Sequence, residues 1–141
     1  GLGDVYKRQR VYISRCDAPR RHLLNEHSFQ TLLDLYGFKV MVLSNLSFQE
    51  QVQLFSTCEV VVGLHGAGLT NMIWMNRGSS VIEIRFPDDK ENNCYFSLAN
   101  ACDLQYYYLI GKTASSNTKT QNSNIYLEPS ELSQLLKVIC G

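Results

Sequence analysis

The sequence of 141 residues lacks the features that mark several large classes of protein. No apolar run approaches the roughly 20 residues that a membrane-spanning helix needs. Basic and acidic side chains balance at 13 each, so no net charge draws the chain to nucleic acid or to an anionic membrane. We therefore expect one folded domain, long enough to bury a core, with no membrane span and no nucleic-acid partner.

The cysteines form no framework. Their number is odd and no C-x-x-C pair occurs among Cys16, Cys58, Cys94, Cys102 and Cys140. This usage favours free thiols in a reducing compartment, with a Cys94–Cys102 disulfide in an oxidising compartment as the alternative. The three histidines have no ligand-like spacing with the cysteines, so we expect neither a metal site nor a cofactor.

Three common motifs are also missing. The glycines at 63, 66 and 68 are spaced G-x-x-G-x-G, which is not the dinucleotide fingerprint, and no G-K-[ST] of a P-loop is present. A serine hydrolase is not expected, because the chain has no G-x-S-x-G nucleophile elbow. The adjacent aspartates at 88 and 89 do not form the D-x-D pattern that holds a metal with a sugar nucleotide.

The most informative stretch is Glu59 to Asn71, which reads EVVVGLHGAGLTN. Its β-branched run predicts a buried parallel strand, and its glycines predict a sharp turn because they carry no Cβ. From Leu69 the apolar spacing predicts a helix. A strand, a turn and a helix start together place backbone N–H groups where a phosphate can bind. Tight packing alone is an equally good explanation of the glycines.

Strands alternate with helices along the rest of the chain. Strands are predicted at Val11 to Ile13, Phe38 to Leu43, Glu59 to Val62, Ser80 to Ile84 and Tyr106 to Ile110. Helices are predicted after Asn25, which can act as the cap, after the Ser47–Glu50 capping box, and around residues 95–102 and 129–139. Residues 111–124 are predicted to be a flexible polar loop. The pattern predicts an α/β fold, a parallel sheet with helices on both faces.

In such a sheet, ligands bind at the carboxyl ends of the strands. Arg15 ends the first strand, and Arg20 and Arg21 follow in a basic loop, where a planar guanidinium suits phosphate. A solvated basic loop is the alternative. His65 can donate to a phosphate, act as a base, or simply tie down its own turn. Glu83 is costly to bury unpaired, so it is expected to accept from ribose hydroxyls or to pair with an arginine.

The order of these motifs resembles glycosyltransferase family 61. The motifs are ISR, then RR and LLNE, then LSFQEQVQLFSTCEVVVGLHGAGLTNMIWM, then VIEI, YF-LA and a tyrosine-rich strand. The likeness covers nearly all of Val11 to Ile110 and falls on the C-terminal half of the family's catalytic region. It implies a GT-B-like architecture of two Rossmann-like lobes, of which this chain is the lobe that holds the donor.

The resemblance also implies an activity. Family members are inverting, metal-independent transferases that move a sugar from a nucleotide-sugar donor, expected here to be a UDP-sugar, to a glycan or protein acceptor. The chain would then be a fragment, inactive alone, whose missing partner is the N-terminal lobe. Bacterial members are associated with capsular polysaccharide synthesis, which implies a cytoplasmic or membrane-associated location. Eukaryotic members would lie in the lumen of the endoplasmic reticulum or Golgi. The competing interpretation is a non-catalytic nucleotide-binding or interaction domain.

Carried over residue by residue, the resemblance implies a donor site and a catalytic candidate. The residues expected to line the donor site are Arg15, Arg20, Asn25, His65, Gly66, Ala67, Gly68 and Asn71, with Glu83 near the ribose. His65 is the candidate base within the chain. Because CDAP precedes the two arginines, either Arg20 or Arg21 can match the family position. Residues 1–9, GLGDVYKRQ, resemble translated sequencing adapter, so the native domain is expected to span residues 10–141.

Overall fold

A five-stranded parallel sheet forms the centre of the computed structural model, which describes residues 8–16, 22–89, 92–113 and 124–141. The strands are β1 (Gln9–Ile13), β2 (Phe38–Met41), β3 (Cys58–Leu64), β4 (Ser80–Arg85) and β5 (Gln105–Ile110). They lie in the order β2-β1-β3-β4-β5, and every neighbouring pair is parallel. The predicted α/β, Rossmann-like fold is confirmed.

Helices and short 3₁₀ segments connect the strands. The α-helices are α1 (Gln30–Leu35), α2 (Phe48–Ser56), α3 (Cys94–Ala101) and α4 (Pro129–Cys140). The 3₁₀ segments are Glu26–Phe29, Leu43–Asn45, Ala67–Trp74 and Pro87–Asp89. A small antiparallel pair, β6 (Lys112–Thr113) with β7 (Ile125–Tyr126), was not predicted. It brings together the two ends of the segment predicted as a loop, whose residues 114–123 lie outside the described part of the chain.

Both faces of the sheet are covered, as the apolar run of β3 predicts. Val60 and Val62 face a core with residues of α1, β7 and α4, such as Leu33, Ile125 and Leu136. Val61 between them faces a second core with residues of α2, the Ala67–Trp74 segment and α3. Because side chains alternate along a strand, a run that is apolar at every position must be buried on both sides.

Several local predictions are confirmed. Ser47 and Glu50 form the predicted capping box at the start of α2, with reciprocal bonds of 2.9 and 3.1 Å. Gly37 follows α1 with a φ of 73°, a conformation that favours glycine. Pro129 begins α4.

The five cysteines are free thiols, and Cys94 and Cys102 do not pair. Among the described residues, no helix is long and apolar enough to cross a bilayer.

The predicted cap at Asn25 is wrong. This side chain makes no capping bond with the Glu26–Phe29 segment. Its amide nitrogen instead donates to the carbonyl oxygen of Leu127 at 2.7 Å, while its amide oxygen accepts from the N–H of Leu127 at 3.1 Å. Asn25 therefore fastens the chain after β1 to the chain before α4, a contact between residues 102 positions apart.

The order in which the chain adds strands to the sheet reverses between β1 and β3. The chain leaves β1 toward β2 on one side and leaves β3 toward β4 on the other side. Connections that diverge in this way leave a crevice at the carboxyl ends of the two strands, where doubly wound folds bind ligands. Ile13 is paired with Gly63, so Arg15 and His65 reach this crevice from neighbouring strands.

Candidate functional site

A cleft of about 230 Å³ lies in this crevice. It is lined by residues at or just after the ends of three strands: 13–15 for β1, 43–44 for β2, and 64 and 66–69 for β3. Pockets that enclose a whole small molecule usually measure about 300–1,000 Å³. The cleft is therefore of a size to hold one group of a larger ligand, with the remainder of the ligand outside it.

Arg15 lies directly against Gly66 at one wall of the cleft. Its Nη1 donates to the carbonyl oxygen of His65 at 3.3 Å. A Cβ atom on Gly66 would stand 2.9 Å from that Nη1, too close for both to keep their places. Gly66 has a φ of 165°, an extended conformation that any residue adopts. The glycine is thus needed for the space it leaves to the guanidinium, not for an unusual backbone angle.

The other two glycines of the stretch also make room. A Cβ on Gly63 would lie 3.2 Å from Leu69, and a Cβ on Gly68 would lie 3.1 Å from Leu43. Neither glycine has a φ in the left-handed region. The sequence correctly placed the glycines at a strand-to-helix connection, and these short distances favour tight packing, one of the two explanations that the sequence left open. The glycines let the following segment pack closely on the ends of the strands.

The segment after the glycines is helical, as predicted, but it is a 3₁₀-helix over Ala67–Trp74. Its first turn closes with the N–H of Leu69 donating to the carbonyl of Gly66 at 3.0 Å. The first N–H groups of a helix have no acceptor within the helix itself and carry a partial positive charge. The start of this segment therefore adds donors to the cleft beside the Arg15 guanidinium.

His65 links the cleft to a second cluster of polar side chains, which lies on β4 and β5. Its backbone carbonyl binds Arg15, while its ring turns toward β4 and hydrogen-bonds through Nδ1 to Oε2 of Glu83. The hydroxyl of Tyr106 on β5 donates to Oε1 of the same carboxylate. The ring of Tyr95 meets the imidazole edge-on, with 5.0 Å between ring centroids.

Burial sets the protonation of the tyrosine in this cluster. The pKa of Tyr106 is raised above its usual value, first by removal from water and then by its hydrogen bond to Glu83 and the charge of that carboxylate. The phenol therefore stays protonated at neutral pH and acts as a donor to Glu83. Burial likewise raises the pKa of Tyr95.

Glu83 is placed differently from the sequence-based expectation. Its side chain is 1% exposed, and its two oxygens accept from His65 and Tyr106. A ribose would have to displace one of these donors, so the geometry favours a role for Glu83 behind His65. The ribose role stays a prediction. Of the three roles that the sequence suggests for His65, tying down its own turn is not what the ring does, because it binds Glu83.

The remaining predicted residues fall in several places. Gly66, Ala67 and Gly68 line the cleft. Asn71 lies behind it, where its amide donates to Gln51 at 3.0 Å and to the carbonyl of Gly68 at 3.1 Å, tying the 3₁₀ segment to α2. Arg20 and Arg21 lie outside the described residues. The placement of Asn25 in the donor site stays a prediction, since both ends of its amide bind Leu127.

The sequence did not indicate the partners of His65. The pattern around Tyr106 predicts only a strand residue, and no motif points to Asn92, whose amide nitrogen lies 3.3 Å from Nε2 of His65. Both contacts depend on the register of β4 against β5 and on the path of the following loop. Among the described residues, no cluster of three or more histidine, cysteine, aspartate or glutamate side chains is arranged to hold a metal.

A parallel sheet with a cleft of this kind defines an α/β protein with a candidate ligand site at its topological switch point. The family model described as Glycosyltransferase 61 matches residues 2–82, more than half of the chain. The chain belongs to glycosyltransferase family 61, as its motifs indicated. The match includes most of residues 1–9, and Gln9 is the first residue of β1. The adapter origin of residues 1–9 stays a prediction.

The chain is similar to EGF domain-specific O-linked N-acetylglucosamine transferases of animals. It is 29% identical to the protein of Drosophila melanogaster over 99 residues, which cover 68% of this chain and 18% of that protein. It is 28% identical to the protein of Rattus norvegicus over 102 residues, which cover 69% of this chain and 19% of that protein. It is 30% identical to the protein of Xenopus laevis over 79 residues, which cover 56% of this chain and 14% of that protein. The chain thus spans about a fifth or less of the length of these relatives.

Proposed function

We propose that this chain forms the donor-binding part of a glycosyltransferase that uses a nucleotide-sugar, in particular a UDP-sugar. The observation that carries the proposal is the cleft at the β1–β3 switch point, where the Arg15 guanidinium lies against Gly66 beside a helix start. Membership of glycosyltransferase family 61 supports the reaction class. In this view the chain corresponds to the C-terminal lobe of a GT-B enzyme.

The diphosphate of the donor is the group that suits the cleft. A guanidinium donates two parallel hydrogen bonds to phosphate oxygens, and the N–H groups at the start of the 3₁₀ segment add further donors. The cleft is too small for a whole nucleotide-sugar, so the nucleoside and the sugar would extend from its two ends. Asn71 and Gln51 hold the first turn of that segment in place.

The same groups would act on the transition state. An acceptor hydroxyl attacks the anomeric carbon while the bond from that carbon to the diphosphate oxygen breaks, so negative charge builds on the leaving diphosphate. Arg15 and the backbone donors are already positioned to stabilise this charge. We propose that this stabilisation needs no metal ion. Saturating EDTA is then expected to leave UDP affinity unchanged, and a loss of binding would overturn that part of the proposal.

His65 is the candidate base. Its Nδ1 is held by Glu83, and its Nε2 faces the exposed Asn92, so a proton leaving an acceptor hydroxyl can be taken up at Nε2. In a full-length family member that carries the HGAG turn, replacing this histidine with alanine should abolish most turnover while donor binding persists. Intact turnover would remove His65 from the catalytic site.

The names of the relatives support our choice of acceptor. The animal proteins that match are named for acting on EGF domains, so we favour a protein acceptor, with N-acetylglucosamine as the transferred sugar, over a capsular polysaccharide. A location in the secretory lumen goes with that acceptor. Free thiols alone had favoured the bacterial cytoplasm, but such thiols also occur in lumenal proteins when their neighbours are too distant to pair.

Calorimetric titration of this chain with UDP, with GDP and CDP alongside, tests the donor site. We expect saturable UDP binding that weakens at least about tenfold in Arg15→Ala, because hydrogen bonds to a charged group contribute about 1.5–3 kcal/mol. Arg77→Ala is the matched control: that arginine is exposed, pairs with Asp103 at 2.9 Å and precedes the amino end of β4, away from the cleft. Equal losses in both variants, or no saturable binding by the folded wild-type chain, would contradict the proposal.

A further inference from the structure

The two ring nitrogens of His65 have chemically different neighbours. Nδ1 meets an oxygen of Glu83, and an ionised carboxylate can only accept a hydrogen bond. Nε2 lies 3.3 Å from the amide nitrogen of Asn92, which can only donate. Both neighbours therefore require the same arrangement of protons, with Nδ1 protonated and the lone pair on Nε2.

Glu83 is held rigidly enough to impose this arrangement. It lies on β4 with 1% of its side chain exposed, and Tyr106 donates to the oxygen that does not face His65. A buried carboxylate that lost a donor would be left partly uncompensated, which is costly. Tyr106 and His65 therefore fix the carboxylate from its two sides, and the carboxylate in turn fixes the imidazole.

Asn92 covers the Nε2 side of the His65 ring. Its amide faces Nε2, and its backbone carbonyl accepts from Nη2 of Arg85 at 2.6 Å. Asn92 is exposed, whereas the His65 side chain is only 13% exposed. The amide group of Asn92 thus stands where a hydroxyl that donates to Nε2 would have to enter.

We propose that Glu83 and Tyr106 are positioning residues that hold His65 with Nδ1 protonated and Nε2 available as the proton acceptor for a sugar or protein hydroxyl, which enters by displacing the Asn92 amide. This inference rests on the proposed transfer reaction. When the acceptor oxygen bonds to the anomeric carbon and the bond to diphosphate breaks, the hydroxyl proton passes to Nε2. The resulting imidazolium faces the Glu83 carboxylate, which stabilises its charge.

Nitrogen and proton NMR of the isotope-labelled chain tests the inference without any activity. The protonated and unprotonated nitrogens of a neutral imidazole differ widely in chemical shift, so the spectrum identifies the tautomer. We expect His65 to carry its proton on Nδ1, with that proton far downfield because it is shared with a carboxylate. A neutral His65 protonated on Nε2 would overturn the proposal.

Variants separate the contributions of the two positioning residues. Glu83→Gln keeps the shape of the side chain but removes its charge, so the downfield Nδ1 proton should move upfield or disappear. Tyr106→Phe should keep the tautomer and broaden that proton, because the carboxylate loses one of its two donors. Tyr107→Phe, whose ring packs on the other face of the sheet, is the matched control and should change nothing. An unchanged Nδ1 signal in Glu83→Gln would overturn the role of Glu83.

The transfer step is tested separately in a full-length family member with the same three side chains. Replacing the glutamate with glutamine should lower kcat with little change in KM, since donor contacts are untouched. If the tautomer is found but no member transfers sugar through this histidine, the proposed function fails while the positioning of His65 stands. If transfer is intact in the glutamine variant, the positioning role fails and the donor site stands.

Discussion

The two halves of the carboxyl edge of the sheet are built from different kinds of residue. Beside β1 and β3, glycines at 63, 66 and 68 remove side chains, and the result is an open cleft with Arg15 at its wall. Beside β4 and β5, the buried Glu83 bonds to the Tyr106 hydroxyl, and a second cleft of about 490 Å³, lined by Arg85, Phe96 and Tyr106 among others, lies next to this pair. The wall of the first cleft carries a guanidinium that suits an anion, whereas the buried carboxylate of the second half is already bonded to the protein's own side chains.

His65 lies at the boundary, which explains how one residue can serve both halves. Its carbonyl helps to place the guanidinium of Arg15, and its ring is placed by Glu83. The comparison predicts that substitutions in the β4–β5 half mainly reduce stability, whereas substitutions in the β1–β3 half mainly reduce ligand binding. Substitutions in each half test this contrast.

The largest effect is expected for Glu83→Ala. Removing the carboxylate leaves the Tyr106 hydroxyl and the His65 ring without their buried partner and leaves a cavity, so the free energy of unfolding should fall by about 3 kcal/mol. Urea unfolding measures the change. Glu59→Ala is the matched control, because that carboxylate is partly exposed and its 3.2 Å pair with Arg10 should contribute at most about 1 kcal/mol. Equal costs for the two variants would contradict the comparison.

A smaller effect, on binding rather than stability, is expected for Gly66→Ala. The added methyl group displaces only the end of the Arg15 side chain, so UDP affinity should fall about threefold to tenfold while the free energy of unfolding changes by less than about 0.5 kcal/mol. Gly66→Ala and Arg15→Ala both act on the Arg15 guanidinium. Gly66→Ala should therefore have little further effect on UDP affinity in an Arg15→Ala background. Full additivity in a double-mutant cycle would show that Gly66 acts independently of the guanidinium.

Gly78→Ala provides the contrasting control for that experiment. Gly78 has a φ of 86°, where a side chain is strained, yet a Cβ there would meet nothing within 4 Å. This substitution should cost about 1 kcal/mol of stability and leave UDP affinity unchanged. Comparison of the two variants would show that Gly78 is needed for its backbone angle and Gly66 for the space beside Arg15.

The smallest effect is a pH dependence in the β4–β5 half. Burial holds the pKa of Tyr106 above that of an unfolded tyrosine, about 10, so the folded state favours the protonated phenol. This stabilisation is present below about pH 10 and is lost as the pH rises toward the folded pKa. Urea unfolding between about pH 8 and about pH 11 should therefore show a steeper loss in wild type than in Tyr106→Phe. Tyr12, buried beside Glu26, has its pKa raised in the same way and contributes to the slope in both proteins.

Much of the fold could be predicted because its signals are local. Alternation and β-branched runs gave the strands, and the Ser47–Glu50 box and Gly37 marked helix ends within a few residues of the chain. Asn25 shows the limit: its sequence context suits a helix cap, but a partner 102 residues away takes both ends of its amide. The short β7 strand was missed for the same reason, since its stability comes from long-range burial of Ile125.

The candidate site was predictable in part. The carboxyl edge of a parallel sheet gathers whatever follows each strand, so Arg15 and the HGAG turn could be expected to meet. The sequence could not show that Gly66 is needed to accommodate a guanidinium, because that depends on how closely Arg15 approaches it: a Cβ on Gly66 would lie 2.9 Å from Nη1. Nor could it show that Glu83 binds His65 and Tyr106, because that depends on the register of three neighbouring strands.

Amide NMR of the labelled chain during a titration with UDP shows whether a donor diphosphate binds at the β1–β3 switch point. We expect the largest saturable shifts at Arg15 and on the turn from His65 to Gly68, and we expect these shifts to be lost in Arg15→Ala. Shifts centred instead on the cleft at the opposite edge, which is lined by Arg10, Gly37 and Glu59 among others, would contradict binding at the switch point.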